Sequence, residues 1–276
     1  MKSHISLRWP GGKLKALTLS YDDGDNNDKK MIEIMNRYGI KGTFNLCNRD
    51  NTNERYVRTD EYEELYKGHE IAVHGKSHVS GASVPIGTFA YDMIENRKHL
   101  EEVTDSIIQG MAYANGSFDE NTKKILKLCG IKYGRTTKST GRFDIPTDWL
   151  ELNPTCHHAR EDLFELCDEF LAIRSPQPPE PTWRRLPAKL FYMWGHSYEF
   201  DRTDSWDRLE EFCRKMGGKD DIWYATNVEI YDYVKAFEKL EFNLEVTEVY
   251  NPTATDIWFR TPDNDYVVKA GERMVL

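Results

Sequence analysis

Asp22 and Asp23 stand side by side one residue, Tyr21, after the apolar, threonine-containing run Leu14 to Ser20 (LKALTLS). Two ionised carboxylates in adjacent positions repel, and a bound cation is the simplest way to keep both charged. A solvated, aspartate-rich turn with a capping role suits the same residues. Further along, His74 and His78 follow the short apolar run Ile71 to Val73 in His-Gly-Lys-Ser-His. On a helical turn this spacing would put both imidazoles on one side, and neutral imidazole is the commonest ligand of zinc-like ions. Many such pairs are only surface histidines, so position matters more than spacing. Both groups sit where strands end, the face on which barrels of alternating strands and helices build active sites.

Other arrangements are excluded. His69-Glu70 and His74 approach the zincin H-E-x-x-H, but the histidines are five apart with strand-like residues between, which no single helical face accommodates. There is neither a G-x-S-x-G elbow nor a P-loop. Cys156-His157-His158 reads as a loop, because adjacent side chains diverge too far to chelate one ion together.

The elements that must carry these residues alternate. Strand-like runs at Leu14 to Ser20, Thr43 to Cys47, Ile71 to Val73, Gln109 to Tyr113, Lys189 to Trp194 and Ile222 to Ala225 are separated by helical patterns. Met31, Ile34, Met35 and Tyr38 share one helical face that Gly39 ends. Phe89 to Ile107 forms a long charged helix, Asp119 caps another that Gly130 closes, and Asn227 caps the last. Alternation of this kind implies parallel strands with helices outside, here an α/β fold built as a distorted barrel of the (β/α)7 type over residues 1–240. Five prolines make Ser175 to Pro187 an extended surface loop. Residues 241–276 turn to β-like runs and are expected as a small antiparallel extension packed on the barrel.

With 276 residues, 39% hydrophobic and 30% charged, the chain can bury a substantial core. Its net charge of −9 argues against a nucleic-acid face or attraction to anionic membranes. Nothing resembles a signal peptide or a membrane span, and the five cysteines are scattered and odd in number. A cytoplasmic protein with reduced, mostly buried thiols is expected.

Ser20-Tyr21-Asp22-Asp23-Gly24 matches the motif T-F-D-D-G, and His74 with His78 matches a second motif of two histidines four apart. In this order, over roughly Leu14 to Leu240, they make the chain resemble the polysaccharide deacetylases, the NodB-like carbohydrate esterases of family 4. That resemblance implies Asp22 as general base and Asp23, His74 and His78 as ligands of one divalent metal ion. Zinc is foremost, with cobalt, nickel or manganese also suited. Phe191 to His196 (FYMWGH) resembles the fifth motif and makes His196 the general acid. Asp148-Trp149 resembles the fourth, whose tryptophan lines the pocket. The third motif, Met111 to Gly116, departs from the family: Ala112 stands where an arginine would pair with the catalytic aspartate. The backbone near Asn115 would still serve a developing oxyanion. Trp149, Trp194, Tyr113 and Tyr198 would stack on a sugar or simply fill the core.

The implied activity is metal-dependent removal of N- or O-linked acetyl groups from an oligo- or polysaccharide. Two alternatives share the scaffold: hydrolysis of a non-sugar amide, ureide or imide, to which the missing arginine lends weight, and sugar binding without catalysis.

Overall fold

The structure is a computed structural model that describes residues 5–175, 187–262 and 264–276. The expected proline-rich loop therefore lies, over residues 176–186, outside the described residues. A short strand, Ser6–Arg8 (β1), precedes a long one, Lys15–Asp22 (β2), in which all eight residues are buried. A strand covered on both faces reads in this way. Helix Asp28–Arg37 (α1) turns Met31, Ile34 and Met35 inward as their spacing requires. Strand Gly42–Leu46 (β3), the single helical turn Tyr62–Leu65 (α2) and strand Glu70–Val73 (β4) come next. They lead to the long helix Ile86–Thr104 (α3), which starts and ends a few residues earlier than its charge pattern suggests.

Strand Gly110–Ala112 (β5), helix Glu120–Leu128 (α4) and strand Tyr133–Arg135 (β6) continue the alternation. Asp119 caps α4 as expected, accepting from the backbone N–H groups of Asn121 and Thr122. Then come Cys156–His157 (β7), Leu163–Ala172 (α5), Lys189–His196 (β8), Tyr198–Arg202 (α6), Trp206–Met216 (α7), Ile222–Tyr224 (β9) and Asn227–Glu238 (α8). The cap of α8 is Thr226 rather than Asn227.

The main sheet runs β6-β5-β4-β3-β2-β8-β7, all parallel, with β9 against the first half of β2. Its two edges meet through one segment. Leu152 exchanges backbone hydrogen bonds with Gly134 and Thr136 beside β6, while Thr155 and β7 bond to β8. The curl thus becomes the (β/α) barrel expected, with strand C-termini at one mouth. Beyond it, Glu241–Phe242 (β10), Glu248–Tyr250 (β11), Ile257–Arg260 (β12), Asp265–Val268 (β13) and Arg273–Val275 (β14) form two small antiparallel sheets. The N-terminal strand β1 pairs with β12, so one of these sheets draws on both ends of the chain. Val249, Ile257, Phe259 and Val268 pack with Leu190, Tyr192 and Ile230 of the barrel side. The cysteines form no disulfide, and all but Cys129 are buried.

The end of the barrel opposite the strand C-termini is plugged by polar groups. Asn227 at the start of α8 accepts from Thr18 at 3.0 Å and donates to the Tyr192 hydroxyl at 2.8 Å. Glu70 accepts from the Val228 backbone, Thr43 and Tyr133 at 2.8–2.9 Å. Enclosure of its carboxyl, only partly relieved by these donors, pushes Glu70 up to about 7. Because the folded chain holds this proton more tightly than the unfolded one, its contribution to stability is full below about pH 4.5 and is lost as the pH climbs past about 7. Glu70→Gln is expected to remove that drift. Its unfolding free energy relative to the parent should rise by about 3 kcal/mol between these limits in urea titrations; an unchanged difference would refute the assignment.

Candidate active site

The carboxylates and histidines expected to act together meet at the barrel mouth. Asp23 follows the end of β2, His74 follows β4, and one ligand atom each from Asp23, His74 and His78 fall within 4.8 Å of one another. The two imidazole centroids are 4.8 Å apart, edge to face. No helical turn brings them there, contrary to the spacing argument: residues 74–80 are a loop. Helix α3 pins it from outside. The Asn96 side-chain oxygen accepts from the backbone N–H groups of His74 and Gly75 at 3.0 and 2.9 Å, and Asp92 accepts from that of Ser77 at 2.7 Å. Gly75 has φ +88°, and a Cβ there would lie 2.4 Å from an Asp92 oxygen. Asp23 and His78 themselves adopt left-handed backbone, φ +79° and +55°, strain of the kind that clusters at functional sites. Arg49 donates to Asp23 at 2.9 Å.

Asp22 is buried, and its carboxylate needs charge compensation. Ala112 does not supply it, nor does any arginine of that strand. Arg135, at the end of the neighbouring strand β6 and fully buried, donates to Asp22 across the mouth, while Asn45 donates to the other carboxylate oxygen at 2.9 Å. Burial would raise the Asp22 carboxyl, but Arg135, His74 and His196 outweigh it and hold it down at about 2. Arg135 also lies over the Trp194 ring at 4.5 Å.

His196 ends β8, its Nε2 3.9 Å from Asp22 Oδ2. Behind it stands Glu199, unnoticed in the sequence. This carboxylate lies 3.1 Å from His157 Nε2, 3.2 Å from His158 Nε2 and 3.5 Å from His196 Nδ1. Cys156-His157-His158 is thus more than a loop, since two consecutive histidines converge on one oxygen. The first of them closes β7. Although His157, His196 and Glu199 lie close enough for an ion, tautomers argue otherwise. The Ala159 backbone donates to His157 Nδ1 at 3.1 Å, so neutral His157 carries its proton on Nε2 and offers Glu199 a donor. Burial drives His158 down to about 4, hence neutral. Burial opposes charge on His196 too, but Glu199 and Asp22 prevail and raise its pKa. Glu199 itself, despite burial, is held far below the ordinary carboxylate range by these three histidines.

The remaining expected residues divide. Trp194 joins the site between Arg135 and His157, with its buried indole N–H unpartnered among the described residues. Tyr198 lies 5.1 Å from His196, ring to ring. Asn115, at φ +56°, donates its side-chain amide to Ser80 beside the histidine loop. Tyr113 is core instead, stacked on Phe118 with its hydroxyl on the Leu150 carbonyl. Trp149 does not line this site either: it is buried in the second core, edge-on to Tyr231 of α8. A large aromatic beside a short buried turn found apolar cover there, which motif position alone does not disclose.

The family profile for polysaccharide deacetylases matches residues 10–134, the stretch holding Asp22, Asp23, His74 and His78. Over that stretch the chain is similar to the polysaccharide deacetylases. No curated protein sequence matches it. A Mycobacterium smegmatis structure assigned to the polysaccharide deacetylases superposes with a TM-score of 0.60 at 17% identity, over 84% of this chain and 94% of that one. A family 4 pseudoenzyme from Bacillus anthracis gives 0.50 at 14%, over 79% and 66%. The esterase domain of a multidomain xylanase from the hindgut metagenome of Trinervitermes trinervoides gives 0.50 at 12%, over 80% and 92%. At such identities these likenesses speak for the deacetylase fold alone.

The cluster at the mouth fits the divalent ion that the matched family implies. His74 Nδ1 faces the Ala112 carbonyl at 2.9 Å, so that nitrogen carries the proton. Its Nε2 is left buried with no hydrogen-bond partner among the described residues, a lone pair aimed into the cluster with Asp23 and His78. The Asp22–Arg135 pair makes a separate demand, because removing one partner leaves a buried charge uncompensated. Arg135→Gln is expected to cost about 3–5 kcal/mol in denaturant titrations. Asp22→Asn added to it should recover part of that loss. Strictly additive losses would mean the pair is not coupled.

Proposed function

We propose that this chain is a metal-dependent hydrolase that removes acetyl groups, N- or O-linked, from an oligo- or polysaccharide. One observation carries the reading. A single oxygen of the ionised Asp22 lies between His196 Nε2 at 3.9 Å and His74 Nε2 at 3.7 Å, placing a base, an acid and a prospective metal ligand around one reacting point.

Asp23, His74 and His78 would hold the ion; two imidazoles and a carboxylate suit zinc first, and cobalt, nickel or manganese as well. The bound ion supplies Lewis acidity and draws the pKa of water from 15.7 towards about 7. Asp22, kept ionised by Arg135 and held in place by Asn45, accepts the proton of the attacking water. His196, with Glu199 behind it, keeps a proton and passes it to the departing sugar nitrogen or oxygen. Trp194 walls the site and limits stray water. The products are acetate and the deacetylated sugar.

Arg135 removes the main motive for the imide or ureide alternative, since the guanidinium absent at Ala112 is present from the next strand. The presence of base, acid and three-ligand set in one cluster speaks against a merely sugar-binding role.

Elemental analysis of the parent chain is expected to give one metal ion per chain, and Asp23→Ala or His78→Ala should abolish it and, with it, acetate release from acetylated oligosaccharides. Full metal content in either variant would overturn the ligand assignment. For Asp22→Asn the metal should stay while turnover falls about 10²–10⁴-fold, the range of general base catalysis. Unaltered turnover would remove Asp22 from the mechanism.

A further inference from the structure

Guanidinium and phenol groups alternate along the rim between Asp23 and His196. Arg49 lies over the ring of Tyr56 at 4.3 Å, and Arg55 approaches that ring at 5.2 Å from its own side. Arg55 stands 5.2 Å from the ring of Tyr198, and Arg202 stands 5.4 Å from it. Arg49 donates to Asp23, while Tyr198 packs against His196. This row therefore reaches from a proposed ligand of the ion to the proposed acid, in a chain whose net charge is −9.

Charge balance at the mouth is close without an ion. Asp22 pairs with Arg135, Asp23 with Arg49, Asp25 with Arg55 and Glu199 with Arg202. Asp28, behind them, has Ser197 and Tyr66 on its carboxyl and is pushed up to about 7 by burial, so it is only partly ionised at neutral pH. Beyond these pairs Asp92 stands under the histidine loop; a divalent ion would bring two further positive charges, and a site so charged favours a negatively charged ligand.

The outer two arginines have donors to spare. Arg55 is half exposed and uses only Nε, on Asp25 at 3.1 Å; its two terminal nitrogens make no hydrogen bond among the described residues. Arg202 is two-thirds exposed and only approaches Glu199, at 3.6 Å. A planar guanidinium fork matches carboxylate and phosphate oxygens in pairs, and stacking on a phenol ring holds the fork in place. Tyr198 holds both forks next to His196, where the leaving sugar must lie.

We infer that Arg55 and Arg202, stacked on Tyr198, bind an anionic group carried by the sugar, a carboxylate or a phosphate, so that the substrate class is an acidic acetylated glycan. The place of the sugar rests on the deacetylase reading; the sign of its charge rests on the two arginines.

The test compares acetate release by the metal-replete full chain from three probes: neutral N-acetylglucosamine oligomers, oligomers containing an N-acetylated aminouronate, and N-acetylglucosamine 6-phosphate. One acidic probe should exceed the neutral one by about tenfold or more in kcat/KM at low salt, largely through KM, and which acid wins names the anion. Arg55→Gln and Arg202→Gln, and high salt, should each shrink that ratio severalfold. Calorimetry with glucuronate, inorganic phosphate and glucose, on parent and Arg55→Gln protein, reads the clamp without chemistry. Equal use of neutral and acidic probes, or a ratio indifferent to both substitutions, would overturn the inference while leaving deacetylation standing. Anion binding that Arg55→Gln weakens, with no acetate released from any probe, would support the clamp and sink the deacetylase reading instead.

Discussion

A carboxylate buried at the mouth of a barrel is costly unless a fixed positive group meets it, and the pairing of Asp22 with Arg135 is that meeting. The two residues end strands β2 and β6, separated by three strands of the curled sheet. Their contact therefore requires the curl itself: flattened, the sheet would hold them far apart. Asn45 on the second oxygen, and His74 and His196 on the first, complete the surroundings of one ionised group.

The histidines divide into two chemical kinds by what each ring nitrogen touches. His74 gives its Nδ1 proton to a backbone carbonyl and keeps a buried lone pair, the state a cation requires. His157 is locked into the opposite tautomer by the Ala159 backbone, so its free side donates to Glu199. One imidazole thus presents a lone pair and the other a proton. Residue type does not distinguish them; neighbouring backbone does.

Strain at the mouth is compensated elsewhere. Asp23, His78 and Asn115 all occupy left-handed backbone that non-glycine residues seldom adopt. Asn96 and Asp92, one helical turn apart on α3, tie down the histidine loop through three backbone N–H groups. At the other end of the barrel, the first turn of α8 is anchored on Asn227 and Glu70. The mouth thereby sits on a scaffold fixed at both its outer helix and its base.

The sequence by itself determined the alternation of strand and helix and the parallel barrel, because strand ends and local periodicity are written in neighbouring residues, whereas the grouping of Asp22, Asp23, His74, His78 and His196 was implied by motifs that resemble those of the deacetylases. It misled where reasoning needed a rotation or a distance: the histidine pair lies on a loop rather than a helix, Trp149 and Tyr113 went to the core, and Thr226 took the cap. Arg135 was legible only as a charged residue ending the apolar run Tyr133-Gly134, and Glu199 only as a carboxylate three residues past His196. Which partner a buried charge finds was left to the tertiary structure. An arginine side chain is long enough to serve from either of two adjacent strands, and closure of the barrel alone decides which one faces the aspartate.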